Sequence, residues 1–324
     1  MPCKRGSPGS DCQVQRMTKF VEGMLVENSG ALRWGPGKVV YVDGEHLHVI
    51  FRDLEEDMAK VFRTDTQMLR PAPQQSDPVL DNLPPLVEKM GRWTLPTKRL
   101  TLDSVKRRFL HEFPAGFSDP GYMKNERDYK LDAYLKFQKL LGLSGIREAL
   151  TSRDHQGLAT KVLKVNSLLN LLSPYESAAF HDAMQEPHAV ESFFTALLRV
   201  ADADPLTAGV FDPFVDAVTS LPAPRGRVAT WPVTTLFLYL ADPTRFMFLK
   251  PEVTKAAADS LGFDLKYNST PNWTTYEALQ RMAALYLDFL RSLGARDFLD
   301  VQSFIWVACG GYDGARAELH VPKR

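Results

Sequence analysis

Five prolines between residues 71 and 85 (Pro71, Pro73, Pro78, Pro84 and Pro85) divide the 324-residue chain into two parts of different character. Proline fixes φ and has no backbone N–H to donate, so neither a helix interior nor a central strand runs through such a stretch. Residues 73–97 are therefore expected to form a linker or an extended strap. Residues 1–16 are expected to be a flexible tail, 17–72 one domain and 98–324 another.

The part before the prolines is strand-like. Met24 to Val26, Gly37 to Val42, Leu47 to Phe51 and Met58 to Phe62 are short runs rich in β-branched and aromatic residues. Asp43-Gly44 joins the second run to the third and suits a type I′ hairpin, in which both turn residues need positive φ. Short strands at this spacing predict a small closed barrel, because closure removes exposed edges. After Thr97 apolar residues recur at helical spacing, as in Leu102, Val105 and Phe109, or Val162, Val165 and Leu169. Ser173-Pro174 followed by Glu176 reads as a helix start with a capping hydroxyl, proline at the first position and an early acid. Further helices are expected near 189–200, 235–240, 251–261, 274–293 and 297–308, with breaks at Pro205, Gly209, Pro213, Pro222, Gly226, Gly262 and Gly294. The fold class is thus α+β and multidomain: a small β-barrel followed by a mostly α-helical domain.

Composition limits the function classes. The 39 Lys and Arg balance 39 Asp and Glu, which excludes a histone-like polybasic chain but allows a local basic face. Cys3, Cys12 and Cys309 are too few for a disulfide framework or a four-cysteine zinc site. The longest apolar run, 228–241, is shorter than the roughly 20 residues of a membrane helix. The start of the chain lacks the apolar core of a signal peptide. A cytoplasmic protein without a membrane partner is expected.

Gly35-Pro36-Gly37-Lys38-Val39-Val40, preceded by Trp34 and followed by the hairpin, resembles the small Tudor- or SH3-like barrel of superfamily 1 DNA helicases and transcription-repair proteins. The resemblance covers residues 20–70 and implies a barrel that binds a protein partner or nucleic acid. Gly-Pro-Gly is also similar to the turn of helix-hairpin-helix DNA-binding motifs, but its flanks here are β-branched. From Met17 to Ala72 seven Lys and Arg face nine Asp and Glu, which favours a protein partner over phosphate.

From Glu88 to Lys139 twelve Lys and Arg stand against seven Asp and Glu, a surplus of five. Lys106, Arg107 and Arg108 lie among aromatics, as expected of a surface that follows phosphates and stacks on bases. A solvated helix face gives the same pattern. Within this region Glu126 and Lys130 are four apart, on one face of a helix, beside Tyr129. Such a pair stabilises a surface helix slightly, or moves protons if it sits in a cleft.

The C-terminal half places polar residues beside large aromatics: Trp231, Lys250 before Pro251, Trp273, and Asp300, Gln302 and Trp306 on one helix. A carboxylate, an amide and an indole on neighbouring faces suit a planar heterocycle. Asp300 is alternatively a helix cap or an ion-pair partner of Arg296 or Lys250. Lys250 stands at a helix entrance, where a cation is unfavourable unless an anion is present.

No nucleotide-binding loop, dinucleotide fingerprint, zinc motif or nucleophile elbow occurs, so neither a metal nor a cofactor is expected. Base excision needs none of these. It requires a cationic DNA groove, an aromatic pocket for a flipped base and a carboxylate. In this composition the helical part is similar to bacterial helical DNA glycosylases, including those directed against phage with modified bases. The resemblance implies a hydrolase of N-glycosidic bonds in DNA repair or antiviral defence, with Asp300 or Glu126 as carboxylate. Lys106, Arg107, Arg108, Tyr129, Lys130, Trp231, Lys250, Trp273, Gln302 and Trp306 would contact DNA. The competing expectation is a DNA-binding adaptor whose barrel docks on a helicase or polymerase.

Overall fold

The computed structural model describes residues 20–97, 101–168, 171–224, 226–310 and 312. At the N-terminus β1 (Leu25–Asn28), β2 (Pro36–Asp43), β3 (His46–Phe51), β4 (Lys60–Arg63) and β5 (Leu69–Pro71) form one antiparallel sheet in the order β4-β3-β2-β1-β5. The sheet curls into a half-barrel around Phe20, Val26, Val39, Leu47, Val49, Phe51 and Leu69. β4 and β5 are its edges, so enclosure comes from curling, and no ladder joins these two strands among the described residues.

Two glycines in the Gly-Pro-Gly turn are dictated by geometry. Gly35 has φ of 67°, and a Cβ there would lie 2.1 Å from Asp53 Oδ2. At Gly37 a Cβ would lie 2.7 Å from both Phe51 Cδ1 and Val49 Cγ1. The hairpin differs from the expected one. Asp43 pairs with His46, so the turn residues are Gly44 and Glu45, and neither has positive φ. The Asp43 carboxylate accepts from the His46 backbone N–H at 3.0 Å, the local hydrogen bond that aspartate brings to an ordinary turn.

The proline-rich segment is a docked strap rather than a free tether. Leu80 covers the second face of the sheet together with Leu25, Ile50 and Ala59. Arg52 reaches Asp77 at 3.0 Å, and Lys38 donates to the Leu80 carbonyl at 3.1 Å. The strap ends in a hairpin, β6 (Val87–Lys89) and β7 (Arg92–Thr94), which the prolines flank but do not enter.

The rest is helical: α1 (Leu102–Glu112), α2 (Pro120–Tyr122), α3 (Asp128–Leu140), α4 (Gly142–Thr151), α5 (His155–Asn166), α6 (Pro174–Ala183), α7 (Pro187–Asp202), α8 (Ala208–Thr219), α9 (Trp231–Ala241), α10 (Pro251–Leu261), α11 (Trp273–Leu290) and α12 (Phe298–Ala308). Every residue of α9 is buried, as befits a helix apolar on all sides. α6 begins with the expected capping box between Ser173 and Glu176. Pro213, expected to break the chain, lies inside α8 instead. Its ring removes one early backbone bond, while buried Phe211, Phe214, Val215 and Val218 hold the helix in the core. No helix among the described residues is long and apolar enough to cross a membrane.

Between α2 and α3 the helix widens into a π turn, Met123–Arg127, closed by the Asp128 N–H donating to the Met123 carbonyl. This i→i−5 bond inserts one extra residue into the helical path. Both Glu126 and Arg127 are buried there.

Candidate functional site

The π turn and the start of α12 face one another, and five ionisable side chains are buried around them: Tyr122, Glu126, Arg127, Lys130 and Asp300. At α12, Asp297 caps the helix by accepting from the Leu299 and Asp300 N–H groups. Asp300 follows at 0% exposure. Its carboxylate accepts from Tyr122 Oη, from Arg127 at 2.7 Å, and from the Arg296 backbone N–H and Nε at 2.8 and 3.0 Å. Arg127 also grips Asp297 with two bonds of 2.9 and 2.8 Å. Burial pulls the Arg127 guanidinium pKa down, yet its two carboxylate partners hold it above the ordinary value. Burial, reinforced by the Asp300 charge, pushes the Tyr122 phenol up, so it stays a hydrogen-bond donor.

One turn further along α3, Lys130 is 2% exposed and Glu126 is 4% exposed. Lys130 Nζ lies 3.0 Å from Glu126 Oε2 and donates to Ser303 Oγ at 2.7 Å. Burial pushes the Glu126 carboxyl up and the Lys130 ammonium down. Both shifts favour the neutral forms, which lowers the cost of moving a proton between these groups.

Lys130 also lines a cavity of about 1170 Å³ whose wall includes Asn125, Tyr129, Glu176, Lys250, Gln302 and Trp306. Lys250 Nζ stands 4.9 Å from the centre of the Trp306 ring. Gln302 is buried, and its Oε1 has no hydrogen-bond partner. Cys309 also lines it, its thiol pushed up to about 11 by burial and pulled back in part by the Ser260 side chain and the Arg108 charge. At the mouth, Tyr175 sits 86% exposed between the lining residues Pro174 and Glu176.

The residues named from the sequence fall into three groups. Tyr129, Lys130, Lys250, Gln302 and Trp306 line the cavity. Glu126 and Asp300 lie behind its wall, bound to Lys130 and to the two arginines respectively. The others lie outside the lining. Trp231 is buried and donates through Nε1 to the Asn268 carbonyl, and Trp273 packs 5.9 Å from the Phe211 ring. On α1, Lys106 lies over the Phe289 ring, Arg107 contacts Glu55 and Ser104, and Arg108 is exposed.

Sequence reasoning missed Tyr122, Arg127, Asp297 and Ser303 as members of the cluster. Arg127 adjoins Glu126, but an α-helix directs adjacent residues about 100° apart, and nothing in the sequence marks the π turn that buries both. Among the described residues no group of three His, Cys, Asp or Glu side chains could hold a metal. No protein-family model, curated protein or solved structure matches the chain.

Proposed function

We propose that this protein acts on DNA as a metal-independent glycosylase, taking an everted nucleotide into the cavity between α3, α6, α10 and α12. The observation that carries this reading is the buried Glu126–Lys130 pair, whose lysine opens into a cavity that also presents an indole and an unpaired amide. In the reaction the C1′–N bond breaks with its electron pair leaving on the base. The Lys130 ammonium gives the departing base its proton. The Glu126 carboxylate, behind the wall, pairs with Lys130 and keeps it charged for that transfer, and water adds to C1′, returning a proton to Lys130. The net change is DNA plus water to an abasic sugar plus free base. Asp300, saturated by Tyr122, Arg127 and Arg296, is a positioning residue in this scheme: it fixes the π turn that carries Glu126.

The exposed Arg108 on α1 supports contact with DNA phosphates. The strand order β4-β3-β2-β1-β5 is compatible with a Tudor- or SH3-like module in the half-barrel. The test is incubation with duplexes carrying modified and unmodified bases, followed by alkaline cleavage at abasic sites. The reading requires base release that Glu126→Gln abolishes while DNA binding persists.

One observation favours a second reading, a DNA-binding adaptor. Leu32 and Met68 are exposed at the same end of the half-barrel, where Ser29 bonds the Met68 carbonyl, and could receive a protein partner. DNA binding without release of any base would favour it.

A further inference from the structure

The N-terminus of α10 opens into the cavity in an unusual state. Its cap residue is Lys250, no side chain caps the helix, and Pro251, Glu252 and Val253 of the first turn line the cavity. The Glu252 and Val253 N–H groups have no intrahelical acceptor in such a turn. A lysine at this end opposes the helix dipole, and among the described residues Lys250 has no ion-pair partner. Its charge instead acts on Lys130 across the cavity, adding to burial in lowering that ammonium. Two cations and a positive helix end thus converge on one space. The carboxylates nearby are already engaged. Glu176 accepts from the Ser173 N–H and the Thr230 hydroxyl, Glu126 is held by Lys130, and Glu252 pairs with Lys255 at 2.7 Å.

A second, independent feature specifies the rest of the ligand. Gln302 is 4% exposed, lines the same cavity and leaves Oε1 without a donor. Leaving a buried amide oxygen unpaired is costly, and a ligand N–H would recover that cost. Trp306, one turn further along α12, adds a flat apolar surface beside that amide. The ammonium of Lys250 now covers its ring. An arriving anion would draw the ammonium off this weak contact and free the ring for stacking.

We infer that the cavity contains a phosphate subsite formed by Lys250 and the first turn of α10, placed so that a nucleotide seats its base on Trp306 against the Gln302 amide. The inference rests on the reading above only in taking the nucleotide from DNA. The same chemistry fits a free nucleoside monophosphate.

Tryptophan fluorescence titrations of the full chain test it, using deoxynucleoside 5′-monophosphates, the matching deoxynucleosides and a short single-stranded oligonucleotide, with Trp306→Phe as the control for signal. The monophosphates should bind about tenfold or more tightly than the nucleosides, the discrimination expected of a charged hydrogen-bonded contact. Lys250→Gln should erase that preference, whereas Gln302→Leu should weaken nucleosides and monophosphates equally. Circular dichroism establishes that both variants fold. Equal affinity for nucleoside and monophosphate, or a preference that survives Lys250→Gln, would overturn the subsite. Displacement of the monophosphate by the oligonucleotide identifies DNA as the source. Monophosphate binding that the oligonucleotide cannot displace keeps the subsite and removes the support for a DNA substrate.

Discussion

The half-barrel and the helical part handle charge in opposite ways. In the half-barrel, Arg63–Asp65, Arg70–Glu27 and Lys60–Glu56 stand in solvent on the rim and edges of the sheet. Exposed pairs of this kind add little stability, because water and salt screen them. In the helical part, Arg127, Asp297, Asp300, Glu126 and Lys130 are withdrawn from water and depend on one another. A chain gains little stability from such burial, since a well-packed apolar replacement is often as stable. The helical part has exposed pairs as well, such as Glu252–Lys255, but among the described residues it alone adds a buried charged cluster of this size, and the cavity adjoins that cluster through Lys130.

Arg127→Met should give the largest break in this contrast. It leaves Asp297 and Asp300 without their shared partner and should cost about 3–5 kcal/mol in urea unfolding. A loss below 1 kcal/mol would mean that these carboxylates reach water and resemble the surface pairs after all.

Lys130→Met should also destabilise by about 3–5 kcal/mol, because Glu126 is then buried alone, whereas the double change Lys130→Met with Glu126→Leu should return most of that loss. A pair kept for chemistry predicts that the double variant folds yet releases no base, with turnover at least about 100-fold down. The pH profile sharpens the point. Turnover requires ionised Glu126 and protonated Lys130. The acid limb should therefore lie above the usual carboxylate range and the alkaline limb below the usual lysine value, giving a narrowed bell. Stability follows the same shifts. The raised Glu126 pKa favours the folded state at low pH, and this contribution is lost as pH climbs from the ordinary carboxyl value to the raised one. The lowered Lys130 pKa makes stability rise with pH between its folded and ordinary values. A bell as broad as that of two unshifted groups would remove the pair from the reaction.

In the half-barrel the sensitive positions are steric. Gly37→Ala should cost about 1–3 kcal/mol, since its Cβ would press on Phe51 and Val49. Arg70→Ala should change stability by less than about 1 kcal/mol and respond to salt. Thermal melts of the two variants side by side would show whether shape, rather than charge, governs this region.

Much of the fold was legible because the deciding residues act locally. Ser173, Pro174 and Glu176 announce α6, the span 251–261 coincides with α10, and the valine-rich runs before the prolines are β2 and β3. Errors arose where tertiary contacts outweigh a local preference. Pro213 is carried by the phenylalanines around it, and the hairpin turn moved one residue to use the Asp43 side chain. The site was legible in pieces. Gln302 and Trp306 are one turn apart and Glu126 and Lys130 likewise, so each pair was visible. That α3 and α12 meet was not, because the Lys130–Ser303 bond spans 173 positions of the chain. Asp300 was singled out as a carboxylate with Arg296 as a possible ion-pair partner, and that pair forms, but its bond to Arg127 follows from the π turn.

The π turn has a consequence for how this sequence can vary. One residue removed from Met123–Arg127 would convert it into an ordinary helical turn and rotate everything upstream by about 100° relative to α3. Tyr122 would swing away from Asp300, although Tyr129, Lys130, Lys250, Gln302 and Trp306 would all remain in the protein. Elsewhere in the helical part a single deletion in a loop shortens a connection and leaves the helices in phase. Here it would act as a frameshift of geometry, so insertions and deletions should be tolerated in the loops and excluded from these five positions.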